Sequence, residues 1–292
     1  MITTSKQLKD KIANISGGDA RKAQILLRKY VMERFLARLA SSRYKNHFIL
    51  KGGMLVSAIV GEDARSTMDI DTTVRSLSLN KSTIEATVKE IMEIDLEDRL
   101  QFEFSSIEEI MEEHDYTGIR ITLKVYLEKL RETIRIDLSA GDAITPEAVC
   151  LSYPMMFDQG SIELRSYNIE TLLAEKIETI LSRSTANTRM RDFYDIHILW
   201  NDASNEVDIE TLRDAIRATA SKRGTDYIIE DGEMILEEIA MSPAMKYQWD
   251  NYQRTNKYVG DLAWDEVIGS VSNILLDEIN LDQTDDFEMT MF

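Results

Sequence analysis

A chain of 292 residues with 43% hydrophobic content has room for one large domain or two modest ones, with a sizeable core. Its single cysteine, Cys150, excludes an intramolecular disulfide framework and suits a reducing compartment, and three scattered histidines (His47, His114, His197) argue against a zinc site. The net charge of −18 is polarised, since residues 1–45 carry eleven Lys/Arg against three Asp/Glu while nine acids and no base follow Lys257. A polarised chain keeps a basic end that can bind nucleic acid, although such charges also serve simply to solvate helix faces. No apolar run is long enough to span a bilayer, and the segment from Met1 to Ala20 has no signal-peptide block. A cytoplasmic monomer with no membrane contact is the expected form.

Asp19 is placed to N-cap a helix. Behind it Leu27, Val31, Phe35 and Leu39 recur every four residues, the stripe of an amphipathic helix reaching Ala40. Arg21, Lys22, Arg28, Lys29, Arg34 and Arg38 decorate its other faces, which makes it a candidate electrostatic track for RNA. A short apolar run from His47 to Leu50 leads into Lys51-Gly52-Gly53, and a helix is expected over 54–60. The segment holding Asp69 and Asp71 reads as a strand, and 82–94 as a helix. The clearest strand signal is 119–127, where Ile119, Ile121, Leu123, Val125 and Leu127 alternate with polar residues. A two-residue connection, Glu128-Lys129, precedes a second alternating run with Ile134, Ile136 and Leu138, so the pair reads as an antiparallel hairpin.

Residues 141–168, with Gly141, Pro146, Pro154 and Gly160, read as loop-rich. From Ile169 the pattern turns helical, with Leu172, Leu173, Ile177, Ile180 and Leu181 in one stripe and further helices near 192–200, 208–221, 230–240 and 262–279. The acidic end, Leu281 to Phe292, reads as mobile. These elements predict an α+β fold in two parts: basic helices and a sheet-based core over 1–165, then a helical domain over 166–292.

On an extended strand alternate side chains point the same way, so Asp69 and Asp71 share a face. Convergent carboxylates attract a hard cation such as Mg²⁺. A glycine turn sixteen residues upstream lets backbone approach phosphate oxygens. Either feature alone is ordinary; their order and spacing point to an enzyme that handles an NTP. Thr67 is placed to bond a phosphate or orient the aspartates, or is only a β-former at a strand entry. Asp137 lies on the face of the hairpin opposite its apolar set, and becomes a third carboxylate at the same point if the hairpin extends that sheet.

A second constellation follows. Lys176 and Arg183 are seven apart on one helix face, and Asp192 and Asp195 are three apart on the next. Arg183, Arg189 and Arg191 are interspersed without an acid, which suits the holding of a triphosphate. The alternative is a pair of surface helices with routine ion pairs and Phe193, Ile196 and Leu199 as core. No Walker loop and no Gly-x-Gly-x-x-Gly turn is present, so neither a P-loop nor a Rossmann site has support.

In order over residues 48–200, Leu50-Lys-Gly-Gly53, Arg65-x-Thr67-x-Asp69-Ile-Asp71, Ile136-Asp137, Lys176 and Arg191-Asp192-x-Tyr194-Asp195 resemble the AbiEii family of nucleotidyltransferase toxins of type IV toxin–antitoxin systems. The resemblance implies a DNA polymerase β-like core, a mixed sheet flanked by helices, with a helical C-terminal domain. It implies Asp69 and Asp71 as Mg²⁺ ligands, Lys176 at the triphosphate, Asp192 or Asp195 as the catalytic carboxylate, a tRNA acceptor end as the target and a cognate antitoxin as partner. Met54 stands where many relatives carry Ser or Thr, which leaves the phosphate to the backbone amides of Gly52 and Gly53.

The mechanism expected is metal-assisted nucleotidyl transfer. Asp137 completes a second metal position or acts as base. Lys51, Gly52, Gly53, Arg65 and Thr67, with Arg183, Arg189 and Arg191, form the nucleotide-binding set. Asp69→Ala or Lys176→Ala is expected to abolish toxicity and leave the fold intact. Two other readings stay open: a nucleotidyl or phosphoryl transferase acting on a protein or small molecule, and a non-catalytic nucleotide-binding module.

Overall fold

The structure, a computed structural model, describes residues 2–61, 65–111, 117–158 and 160–279. His114 and the acidic segment Leu281–Phe292 lie outside the described residues. Ten α-helices and seven strands are present among them, and the chain divides into two compact units. Unit 1 comprises residues 1–142 and 147–167; unit 2 comprises 143–146 and 168–292. No described helix is long and apolar enough to cross a membrane.

Unit 1 is a mixed seven-stranded sheet with four helices, α1 (Ser5–Ser16), α2 (Ala20–Ser41), α3 (Gly52–Val60) and α4 (Lys81–Met92). Its strands are β1 (Phe48–Lys51), β2 (Ile70–Val74), β3 (Gln101–Met111), β4 (Thr117–Leu127), β5 (Leu130–Ala140), β6 (Val149–Pro154) and β7 (Ser161–Ser166). They lie in the order β3-β4-β5-β2-β1-β7-β6. The pairs β2/β5 and β1/β7 are parallel and the rest antiparallel. The expected hairpin is β4/β5, joined through Glu128-Lys129, with Leu127 opposite Leu130. Ile119, Ile121, Leu123, Val125 and Leu127 are at most 2% exposed, so the alternating pattern marks a one-sided core.

Residues 141–168 are not the loop expected. They contain β6 and β7, two six-residue strands that close one side of the sheet. Pro154 ends β6 at the sheet edge, where the missing N–H costs no ladder bond. Asp69 also departs from expectation, because β2 starts at Ile70 and Asp69 occupies the bend before it.

The basic helix α2 is not a solvated track. Lys29, Arg34 and Arg38 are buried, along with Tyr30, Val31, Met32, Phe35, Leu36, Ala37 and Leu39. The helix is enclosed on most sides because it packs against β5, β7 and α4. Arg34 Nε donates to Asp98 Oδ2 at 2.8 Å, and the Arg38 fork donates to both Asp98 oxygens at 2.9 and 2.7 Å. Arg28 pairs with Glu132 at 3.0 Å. These charges are satisfied inside the protein and hold α2 against the unit.

Unit 2 is helical: α5 (Ile169–Arg183), α6 (Met190–Ala203), α7 (Ile209–Arg223), α8 (Tyr227–Met241), α9 (Pro243–Thr255) and α10 (Trp264–Ser272), followed by a π-helical segment, Asn273–Ile279. Asn168, Asp208 and Ser242 N-cap α5, α7 and α9 through their side chains. Leu172, Leu173, Ile177, Ile180 and Leu181 of α5 are all buried, and α6 contributes Phe193, Ile196 and Leu199. Trp249 and Trp264 are buried with ring centroids 6.0 Å apart.

Candidate active site

In unit 1 the register of five strands lines up one row of charged side chains. Lys51 on β1 lies opposite Asp71 on β2, Asp71 opposite Asp137 on β5, Asp137 opposite Arg120 on β4, and Arg120 opposite Glu108 on β3. Register partners on adjacent strands project to the same face, so the row reads Lys, Asp, Asp, Arg, Glu across the sheet. The apolar partners one step along, Ile70, Ile136 and Ile121, point into the core. The alternation that buries those isoleucines therefore also presents the carboxylates together.

Gly52 and Gly53 make the row possible. The chain turns from β1 into α3 at Gly52, whose φ is +63°, and a Cβ there would overlap the Asp71 carboxylate. A Cβ on Gly53 would overlap the Arg65 guanidinium and the Thr67 hydroxyl. The Gly53 amide donates to Asp71 Oδ2 at 3.4 Å. Arg65 and Thr67 are buried; Arg65 Nη1 donates to the Ser66 carbonyl at 2.9 Å and Thr67 Oγ1 to the Asp69 carbonyl at 3.3 Å. The glycine pair thus receives the acidic segment, with Arg65 and Thr67 bracing it.

Electrostatically the centre is strained. Burial raises the pKa of Asp71, Asp137 adds to the rise, and Lys51 and the Gly53 amide only partly oppose it, so the net shift is upward. Lys51 Nζ is held by Asp142 at 2.8 Å. Asp142 also accepts from Ser139 at 2.6 Å and Tyr167 at 2.9 Å. Burial works against its charge, but Lys51, Ser139 and Tyr167 prevail and keep its pKa well below the ordinary value. Arg120 clasps Asp137 in two bonds, Nε to Oδ1 at 2.8 Å and Nη2 to Oδ2 at 2.6 Å. Sequence reasoning did not single out Arg120 and Glu108, which the strand register places beside Asp137 and Arg120 respectively, or Asp142 and Tyr167, which meet at Lys51.

Among the described residues no three His, Cys, Asp or Glu side chains form a ready-made metal cage. The donor chemistry nevertheless fits a hard divalent cation. Asp71 and Asp137 are adjacent oxygen donors with Asp69 at the head of β2, and their like charges raise the Asp71 pKa.

Unit 2 carries the second constellation. Lys176 Nζ, on α5, donates to Asp192 Oδ1 at 2.9 Å and to Asp195 Oδ2 at 2.7 Å, both on α6. All three side chains are at most 10% exposed. Arg189 Nε lies 2.8 Å from the other Asp192 oxygen. Burial opposes the charge on Asp192, but Lys176 and Arg189 overcome it and hold the pKa below the ordinary value. Arg183 closes α5 and Arg191 is exposed in the first turn of α6. Lys176 is therefore the ammonium between two buried carboxylates, so Lys176→Ala is expected to cost stability as well as activity.

The chain belongs to the AbiEii family: the model described as nucleotidyl transferase AbiEii toxin, type IV TA system, matches residues 34–270. Two solved structures are similar. One, of a candidate nucleotidyltransferase from H. pylori, is 16% identical with a TM-score of 0.48, and the match covers 89% of this chain and 99% of that one. The other, JHP933 from Helicobacter pylori, is 15% identical with a TM-score of 0.48, covering 88% and 92%. No curated protein matches the chain.

Proposed function

We propose that this nucleotidyltransferase moves a nucleotidyl group from an NTP to an acceptor hydroxyl, with Mg²⁺ held by Asp69, Asp71 and Asp137, and that the acceptor is the 3′ end of a tRNA. The observation that carries the reading is the register of Asp71 beside Asp137 at the glycine turn. A divalent cation held by these carboxylates would supply Lewis-acid neutralisation of the charge that develops during transfer. Asp69 and Asp71 would hold it, and Asp137 would complete the donor set or receive the proton of the attacking hydroxyl. Lys51, Gly52, Gly53, Arg65 and Thr67 are the candidate nucleotide contacts, with the glycines also seating Asp71 and its Arg65 and Thr67 braces. Lys176, Asp192, Asp195, Arg183, Arg189 and Arg191 of unit 2 are candidates for triphosphate or acceptor contacts in their own right, each open to test by substitution in the same assay.

The test is incubation of the pure protein with each α-labelled NTP and total tRNA. Label is expected to enter tRNA from one or more NTPs, to require Mg²⁺, and to vanish with Asp71→Asn. Transfer from γ-labelled NTP instead would mean phosphoryl transfer. Label on protein with none on RNA would overturn the tRNA acceptor.

A further inference from the structure

Arg120 has acids in register on both sides, Asp137 on β5 and Glu108 on β3. It bonds only the first, with both arms of its fork. Its side chain is 35% exposed, so part of it borders solvent. Glu108 is exposed, its charge acts on Arg120, and no ion pair holds it elsewhere among the described residues. The Asp137 carboxylate is thus committed to a guanidinium at the point where the proposed function needs it for a cation.

We propose that Arg120 is a two-position counter-ion: it clasps Asp137 in the metal-free enzyme and transfers to Glu108 when a divalent cation takes Asp137. This rests on the metal reading of the Asp71/Asp137 pair. The physical argument is charge balance. Without the cation, Asp71 and Asp137 stand side by side, and Arg120 neutralises the second of them. With the cation, a guanidinium left on Asp137 would face a like charge and occupy both carboxylate oxygens. Glu108 offers it an acid one strand away on the same face, so the positive charge is handed along the row rather than expelled. Arg120 is accordingly a positioning residue that makes cation entry conditional on its own departure.

The experiment measures Mn²⁺ affinity of the full chain without nucleotide, from the free-Mn²⁺ signal in electron paramagnetic resonance. Arg120→Gln is expected to bind Mn²⁺ about threefold to tenfold more tightly than the parent, the size of a partly exposed bidentate pair no longer competing. Glu108→Gln is expected to bind more weakly by about twofold to threefold, as suits an exposed pair. In the Arg120→Gln background, Glu108→Gln is expected to have no effect. Unchanged or weaker binding by folded Arg120→Gln would show that Arg120 merely braces Asp137 and would overturn the proposal. A Glu108 effect that persists without Arg120 would remove the second position. Should Arg120→Gln fail to fold, Arg120→Lys, which keeps the charge but loses the fork, must shift the affinity in the same direction. Asp71→Asn separates the two readings: parent-like Mn²⁺ affinity in that variant would sink the carboxylate metal site itself, and this proposal with it.

Discussion

Gly52→Ala carries two penalties, because Gly52 has φ of +63° and a Cβ would enter the space of the Asp71 carboxylate. The backbone strain costs on the order of 1–3 kcal/mol, and displacement of Asp71 is expected to lower turnover by about 10²-fold or more. Urea melts and nucleotide-transfer rates measure the two effects separately. A variant with parent-like activity would mean that the Asp71 position is not critical. Lys176→Met poses a different question. It leaves Asp192 and Asp195 buried without their shared ammonium, and the expected cost is about 3–5 kcal/mol in a urea melt at pH 7. Loss of activity in that variant is informative only after its stability is known. Asp71 beside Asp137 was within reach of the sequence, because strand and hairpin alternation put both opposite an apolar face, whereas Asp69 lies in the bend before β2 and off the expected strand. Arg120 was not, since an arginine on the polar face of a hairpin looks like solvated surface until the register of the next strand is known.

At the level of elements, local pattern served best where one side of an element is buried. The β4/β5 hairpin and the α5 stripe are of this kind. It failed for α9, whose buried contacts are Met245 and Trp249 amid polar residues, and for β3, where acids crowd an edge strand. The parallel pairing of β2 with β5 joins residues far apart in sequence, and nothing local encodes it. α2 shows the opposite failure: its bases read as surface charge, yet Arg34 and Arg38 are buried on Asp98. Burial opposes the Asp98 charge, but Arg38 and Arg34 prevail and its pKa is lowered. A carboxylate with a depressed folded pKa stabilises above its unfolded value, about 3.9, and loses that contribution as pH falls through the folded value. Asp98→Asn is therefore expected to cost about 3–5 kcal/mol near pH 7, where it strands two buried arginines, and much less relative to the parent in strong acid. Urea melts at the two pH values check this, and a pH-independent difference would refute the ion-pair account.

The whole molecule is two units threaded by one chain that changes unit three times, after Asp142, after Pro146 and after Tyr167. The excursion 143–146 belongs to unit 2 because Thr145 is bound there. Its N–H donates to Thr171 Oγ1 at 3.0 Å, and its carbonyl accepts from Asn168 Nδ2 at 2.8 Å and from Thr171 Oγ1 at 3.3 Å. Thr171 is fully buried on α5, so Thr171→Val keeps its volume and removes two of the three bonds, leaving the one from Asn168. The expected cost is about 1–3 kcal/mol, and amide exchange is expected to quicken at Thr145. Parent-like protection there would mean that the Asn168 bond and packing hold the excursion without Thr171.

Those four residues also frustrate any attempt to dissect the protein. A single cut at the last crossing yields an N-terminal piece with a foreign peptide grafted into it and a C-terminal piece missing the strap at the start of its first long helix. Limited proteolysis or split-gene complementation aimed at that junction should return halves that recombine better than either survives alone.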